Sequence, residues 1–231
     1  METESVHACE LRTMLSEQGL LNQADGSAVF KQGDTQVMAA VYGPVEVRMN
    51  KELLDKALVE VIFRPKVGLP GCSEKMMEQL IRQSCEPVIL TTLHPRSSMT
   101  IIVQVIHDSG SLLSCAINAA FLAMIDAGYP MKSTICSVTC AITNNDEIQL
   151  DPNLQQQKEA SSVMTFVFDG INKNVMTSST KGEYAIEQYN KCLLASVSAA
   201  DHILQFFRQS VERKLSRDAK YQCIDSNSMD S

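Results

Sequence analysis

The sequence predicts an α/β domain of the α+β kind, a two-layer arrangement in which helices pack on β-sheet. Three observations predict it. Short apolar, β-branched runs broken by Gly, Asn and Asp turns recur between residues 11 and 180. Three longer segments, at 73–93, 112–127 and from about 183 onward, place apolar residues at helical spacing. The chain has 231 residues, 45% hydrophobic and 20% charged, enough to bury a large core.

In chain order, residues 1–10 read as a flexible N-terminal tail and 11–215 as a single domain. Residues 11–21 form an irregular apolar strand closed by an Ala24-Asp25-Gly26 turn. Residues 27–32 and 35–42 flank Gly33-Asp34, a hairpin signal. A polar loop over 45–56 leads to an alternating strand at 57–65. The helix expected over 73–93 takes its stripe from Met76, Met77, Leu80, Ile81, Val88 and Leu90, and Pro87 should kink or end it. An apolar strand from Met99 to Ile106 enters the turn His107-Asp108-Ser109-Gly110-Ser111. The apolar helix that leaves this turn has Ser111 as N-cap and stops at Gly128, with Pro130 beyond. Residues 134–143 form a strand, Asn144-Asn145-Asp146 a turn, and 147–150 a short strand broken by Asp151-Pro152. Residues 161–169 and 175–180 pair around Asn172-Lys173-Asn174. A long helix from about 183 carries Ile186, Tyr189, Leu193, Val197, Ala200, Leu204, Phe207 and Val211 along one face. Residues 216–231 are polar and read as a disordered C-terminal tail.

Composition narrows the chemistry. A net charge of −7 argues against strong free-standing nucleic-acid binding, which needs clustered cations. The eight cysteines are scattered without a CxxC pair, and no histidine lies near Cys136 and Cys140, so reduced buried thiols are expected and a metal site is not. There is no apolar run of about 18 residues, and the start Met1-Glu2-Thr3-Glu4 is acidic, so no membrane association is expected and a soluble, intracellular chain is. A Ser109-Gly110-Ser111 turn opening a helix points free N–H groups and the positive end of the helix dipole at one spot, which favours a phosphate. The plainer alternative is a simple strand–helix connection. Arg64, Lys66, Lys75, Arg82 and Arg96 fall in one segment whose only acids are Glu74, Glu78 and Glu86. They either line an RNA path or are scattered solvated charges, Lys75 among them.

Three stretches in order carry a resemblance. The first is Asp25-Gly26-Ser27-Ala28 with Gly33-Asp34-Thr35 and Val41-Tyr42-Gly43-Pro44. The second runs from His94-Pro95-Arg96-Ser97-Ser98 through Asp108-Ser109-Gly110-Ser111 to Asn118-Ala119-Ala120 and Asp126-Ala127-Gly128-Tyr129-Pro130-Met131. The third is Leu150-Asp151-Pro152 with Lys158-Glu159-Ala160. The stretches run from Asp25 to Ala160 and resemble the RNase PH family, in particular its eukaryotic RNA exosome ring subunits, a resemblance that covers roughly residues 11–213. The resemblance implies a ribosomal-S5-domain-2-like fold with a left-handed βαβ crossover. It implies a six-membered ring with a central channel, built with other RNase PH-like exosome subunits and joined by S1/KH-type cap subunits and associated exoribonucleases. RNA is threaded through the assembled ring. The implied role is structural support of 3′-to-5′ RNA processing and degradation in nucleus, nucleolus and cytoplasm.

The family's phosphorolysis needs cations on a phosphate and an acid, often with a metal, for the leaving oxygen. Active members resemble Gly-Gly-Thr-Arg at the helix start, where this chain has Ser109, Gly110, Ser111 and Leu112. A second phosphate-gripping arginine falls at Gln79, with a nearby one at Gln83. Of two aspartates six residues apart, the first matches Asp151 and the second falls at Gln157. An alkyl chain cannot grip phosphate, and a glutamine can neither act as an acid nor charge-neutralise a metal. The resemblance therefore implies a vestigial phosphate site at Gly110 and Ser111, a vestigial carboxylate at Asp151, and no catalytic residue, cofactor or metal. A possible RNA path is assigned to Arg64, Lys75, Arg82 and Arg96. The rival reading has Lys75, Arg82, Ser111, Asp151 and Glu159 rebuilding a site for phosphorolytic or metal-assisted hydrolytic cleavage, or the chain acting as a homodimer.

Overall fold

A computed structural model describes residues 11–143 and 146–229. Strands β1 (Met14–Gln18), β2 (Gly26–Gln32), β3 (Thr35–Glu46) and β4 (Leu58–Arg64) precede helix α1 (Cys72–Cys85). Strand β5 (Ser97–His107) and helix α2 (Leu112–Asp126) follow, then β6 (Ile135–Ile142), β7 (Ile148–Leu150) and the short helix α3 (Leu154–Glu159). Strands β8 (Ser162–Asp169) and β9 (Val175–Gly182) lead into the long helix α4 (Ile186–Met229). Five strands make one sheet in the order β1-β2-β3-β5-β4, and four make a second in the order β7-β6-β8-β9. Among the described residues only β4 and β5 run parallel, from Leu58 opposite Ser98 to Arg64 opposite Gln104, with α1 as their crossover. The hairpin expected at Gly33-Asp34 is the β2–β3 connection, with Gln32 opposite Thr35.

Helices α1, α2 and α4 each touch both sheets, so helix-on-sheet packing is made twice, once on either side of the helices. This explains the composition of α2. It carries no charge before Asp126, and eleven of its residues, Ser114 to Met124, are buried. A helix walled on both sides has no polar face to show. All eight residues of β6 are buried as well. Phe207 of α4 joins the halves, its ring 6.1 Å from Phe30 of β2 and 5.4 Å from Phe121 of α2. Asn118 of α2 stitches helix to sheet: its Nδ2 donates to the Ser137 carbonyl at 3.1 Å and its Oδ1 accepts the Ser137 N–H at 2.9 Å. Asp126 does the same at the other end of the helix, accepting the Ser27 N–H at 2.9 Å and pairing with Lys214 of α4.

The structure departs from the sequence reading in four places. Helix α1 ends at Cys85 instead of reaching residue 93: Glu86 still donates its N–H to the Arg82 carbonyl, but Pro87 has no N–H with which to continue the ladder. Val88 and Leu90 therefore leave the helical stripe, and Val88 is buried beyond the helix end while Ile89 bridges to Met131. Strand β3 continues to Glu46, into the expected loop. Helix α3 was not expected at all. Helix α4 runs on through 216–229, where the sequence reads as a disordered tail, because extending a helix that tertiary packing has already nucleated costs little. The expected N-terminal tail at 1–10, the Asn144-Asn145 part of the turn, and residues 230–231 lie outside the described residues. Among the described residues no helix is long and apolar enough to cross a membrane.

Candidate functional site: the turn before α2

The turn between β5 and α2 is held from three sides. Gly110 has φ +102° and Ser111 has φ +55°. The Asp108 carboxylate accepts the Gly110 N–H at 3.0 Å. Thr35, where β3 begins, donates its hydroxyl to the Gly110 carbonyl at 2.6 Å and accepts the Ser109 N–H at 3.2 Å. Ser111 occupies the N-cap position as expected, but its hydroxyl does not cap the helix. It donates instead to the Pro152 carbonyl at 3.1 Å and is 1% exposed.

The second wall is the segment 151–157. Asp151 has φ +52°, is 3% exposed, and donates its N–H to the Thr139 carbonyl at 2.8 Å. Asn153 caps α3, its N–H accepted by Gln156 Oε1 at 2.8 Å. Leu154 N–H reaches back to the Ser109 carbonyl at 3.0 Å. The two segments touch backbone to backbone: a Cβ on Gly110 would stand 2.6 Å from both Leu154 N and the Pro152 carbonyl oxygen. Gln157 Nε2 donates to Ser111 Oγ and to the Pro152 carbonyl, each at 3.5 Å. The structure thus brings together Gly110, Ser111, Asp151 and Gln157.

A fifth residue joins them that sequence reasoning missed. Arg12, two residues before β1, spans both oxygens of Asp151: Nε donates to Oδ2 at 2.7 Å and Nη2 to Oδ1 at 2.5 Å. The same guanidinium reaches Asn153 Oδ1 at 3.1 Å and the carbonyls of Ser109 and Gly110 at 3.5 and 3.4 Å. No sequence signal marks it, because the contact spans 139 positions.

The remaining expected residues lie elsewhere. Leu112 is half-buried and packs against the core. Gln79 is exposed on α1 in one stripe with Lys75 and Arg82, at i−4 and i+3. Lys75 pairs with Glu78 at 2.8 Å. Arg96 pairs with Glu52 at 3.5 Å. Arg64 is exposed at the end of β4, and among the described residues neither it nor Arg82 makes an ion pair. Arg96 lies just before the start of β5, whereas Arg64 is opposite Gln104, so the two stand more than about 20 Å apart along the parallel pair. Arg64 and Arg96 therefore do not share one patch. Glu159 is exposed at the end of α3.

The site's cation, Arg12, and its hydroxyl, Ser111, are both engaged in holding the fold. Cys115, in the first turn of α2, donates its Sγ–H to the Phe30 carbonyl at 3.5 Å. Burial, and then the neighbouring Asp151 charge, push its thiol well above the usual range, so it is no nucleophile. A divalent metal does not fit the donor set: both Asp151 oxygens are taken, Gln157 is neutral, and among the described residues no three or more His, Cys, Asp or Glu are grouped to hold one.

Residues 10–130 match the 3′ exoribonuclease family (RNase PH), domain 1, and residues 133–199 match domain 2 of the same family. The chain belongs to the RNase PH family. It is 33% identical over 225 residues to the "Exosome complex exonuclease RRP46 homolog" of Arabidopsis thaliana, covering 90% of this chain and 94% of that protein. It is 32% identical over 214 residues to the "Exosome complex component RRP46" of Saccharomyces cerevisiae, covering 87% and 96%. The crystal structure of rice Rrp46 superposes with a TM-score of 0.84 at 34% identity, covering 88% of this chain and 96% of that one. In this RNase PH family member the boundary between the two matched segments falls between α2 and β6. The Asn118–Ser137 hydrogen bonds cross that boundary.

Proposed function

We propose that this chain is a non-catalytic ring subunit of an exosome-type RNA-processing complex, contributing structure and part of an RNA path. Relatives named as exosome components, matched along nearly their whole length, support the assembly. The observation that carries inertness is the engagement of Asp151 by Arg12, beside a neutral Gln157; the other two positions matched to charged groups of active members, Leu112 and Gln79, are neutral as well. Losing one charge-stabilising group typically costs about 100- to 1000-fold in rate. Losses within one site do not simply multiply, but three leave negligible phosphorolysis. The proposed partners are other RNase PH-like subunits, and RNA is met only in the assembled ring. The exposed stripe Lys75–Gln79–Arg82 and Arg64 at the end of β4 are its proposed contacts.

The test incubates the pure chain, and the chain coexpressed with its RNase PH-like partners, with RNA, inorganic phosphate and Mg²⁺. The coexpressed chain is expected in the ring in one copy. The pure chain is expected to release no nucleoside diphosphate, and Leu112→Arg alone is expected to change nothing. The variant able to restore chemistry combines Leu112→Arg, Gln79→Arg and Gln157→Asp. The plant relative's name calls it an exonuclease. Phosphate-dependent release that scales with the amount of unmodified chain would overturn inertness here.

A further inference from the structure

The environment of Asp151 suggests what became of its carboxylate. Its two oxygens face two nitrogens of one guanidinium, so any other cation at Asp151 has first to displace Arg12. The other guanidinium bonds go to Asn153 on one backbone segment and to Ser109 and Gly110 on the other. A guanidinium is planar, permanently charged and forked, so it joins these acceptors in a fixed geometry, as a point charge cannot. Left-handed Ser111 and Asp151 lie one in each segment, and such conformations persist only where the surroundings over-determine them. The stem of Arg12 is placed from below by the β2–β3 turn. Gly33 donates its N–H to the Thr13 carbonyl at 2.9 Å, and a Cβ on Gly33 would stand 2.8 Å from Arg12 Cδ.

We propose that Arg12 is the resident cation of this site: it neutralises Asp151 in place of a divalent metal and clamps the turn 109–111 to the segment 151–157. The clamp rests on the reading of the chain as an inert subunit and says how the carboxylate is retained without its chemistry. The segment that carries Arg12 closes the site.

The test uses the full chain and the variants Arg12→Gln, Arg12→Lys, Asp151→Asn and the double variant Arg12→Gln/Asp151→Asn. Each of Arg12→Gln and Asp151→Asn is expected to lower Tm by roughly 6–20 °C, because each leaves the other charge or its acceptors unpaired. The double variant is expected to lose no more than the worse single one. Arg12→Lys is expected to fold with an intermediate loss. Mn²⁺ is expected to leave the amide signals of 109–111 and 151–157 in the unmodified chain unbroadened. Losses that simply add, an Arg12→Lys chain as stable as the unmodified one, or Mn²⁺ broadening centred on these two segments would each overturn the clamp. If Arg12→Gln does not fold, Arg12→Lys and the Mn²⁺ titration decide. Phosphorolysis by an unmodified chain that shows the coupled losses would refute inertness and leave the clamp standing.

Discussion

Gly110 shows how closely the two segments of the site are fitted. Its left-handed backbone disfavours any side chain, and the Leu154 and Pro152 backbones fill the space a Cβ needs. Gly110→Ala is expected to destabilise the chain by about 2–4 kcal/mol, from strain and overpacking together. A urea titration followed by circular dichroism reads this directly. At this scale the sequence was legible where a residue type has one meaning. Gly110 before a helix, Asp151 before a proline, and Gln157 six residues on were all visible, and the fold gathers them. Ser111 was legible only in position, since the direction of its hydroxyl depends on where residue 152 lies in space. Arg12 was invisible, because an arginine outside any periodic pattern carries no hint of a carboxylate 139 positions away.

Among the elements, α2 and its link to β6 decide how the halves hold together. The Asn118 amide satisfies both the N–H and the carbonyl of Ser137 inside the core. Asn118→Ala would leave both groups buried and unpaired, a loss of about 2–5 kcal/mol. The denaturant midpoint measures it, and a single cooperative transition is expected to be kept because the core is shared. Strands and long helices were readable from their periods of two and about 3.6. The end of α1 was not, since Val88 and Leu90 continue the helical spacing by chance although Pro87 has already broken the backbone. Helix α3 was missed for the opposite reason: Leu154 followed by five polar residues offers no stripe, and the helix follows from the cap at Asn153.

The whole molecule answers to alkaline pH through its buried thiols. Burial pushes Cys85 and Cys136 from 9.0 up to about 12, the charges of Asp201 and Asp169 adding to the effect at Cys136. The folded chain keeps these protons where the unfolded chain releases them. Their contribution is therefore fully present below about pH 9 and lost as pH rises toward 12. At pH 10 the loss is about 1 kcal/mol for each thiol. Urea midpoints at pH 7, 9 and 10 should fall in that order. A Cys85→Ala/Cys136→Ala chain, weaker at pH 7, should lose less between pH 9 and 10.

The enclosure of α2 by both sheets sets the order in which parts of the molecule can come loose. A helix with one open side can peel away while the rest stays folded. Helix α2 has no such side, so its amides can exchange with solvent only when the two sheets separate. The turn 109–111 is fastened to the first residues of that helix and the Arg12 contacts are fastened to the turn. The turn before α2 and its Arg12 contacts are thus tied to the part of the chain that opens last.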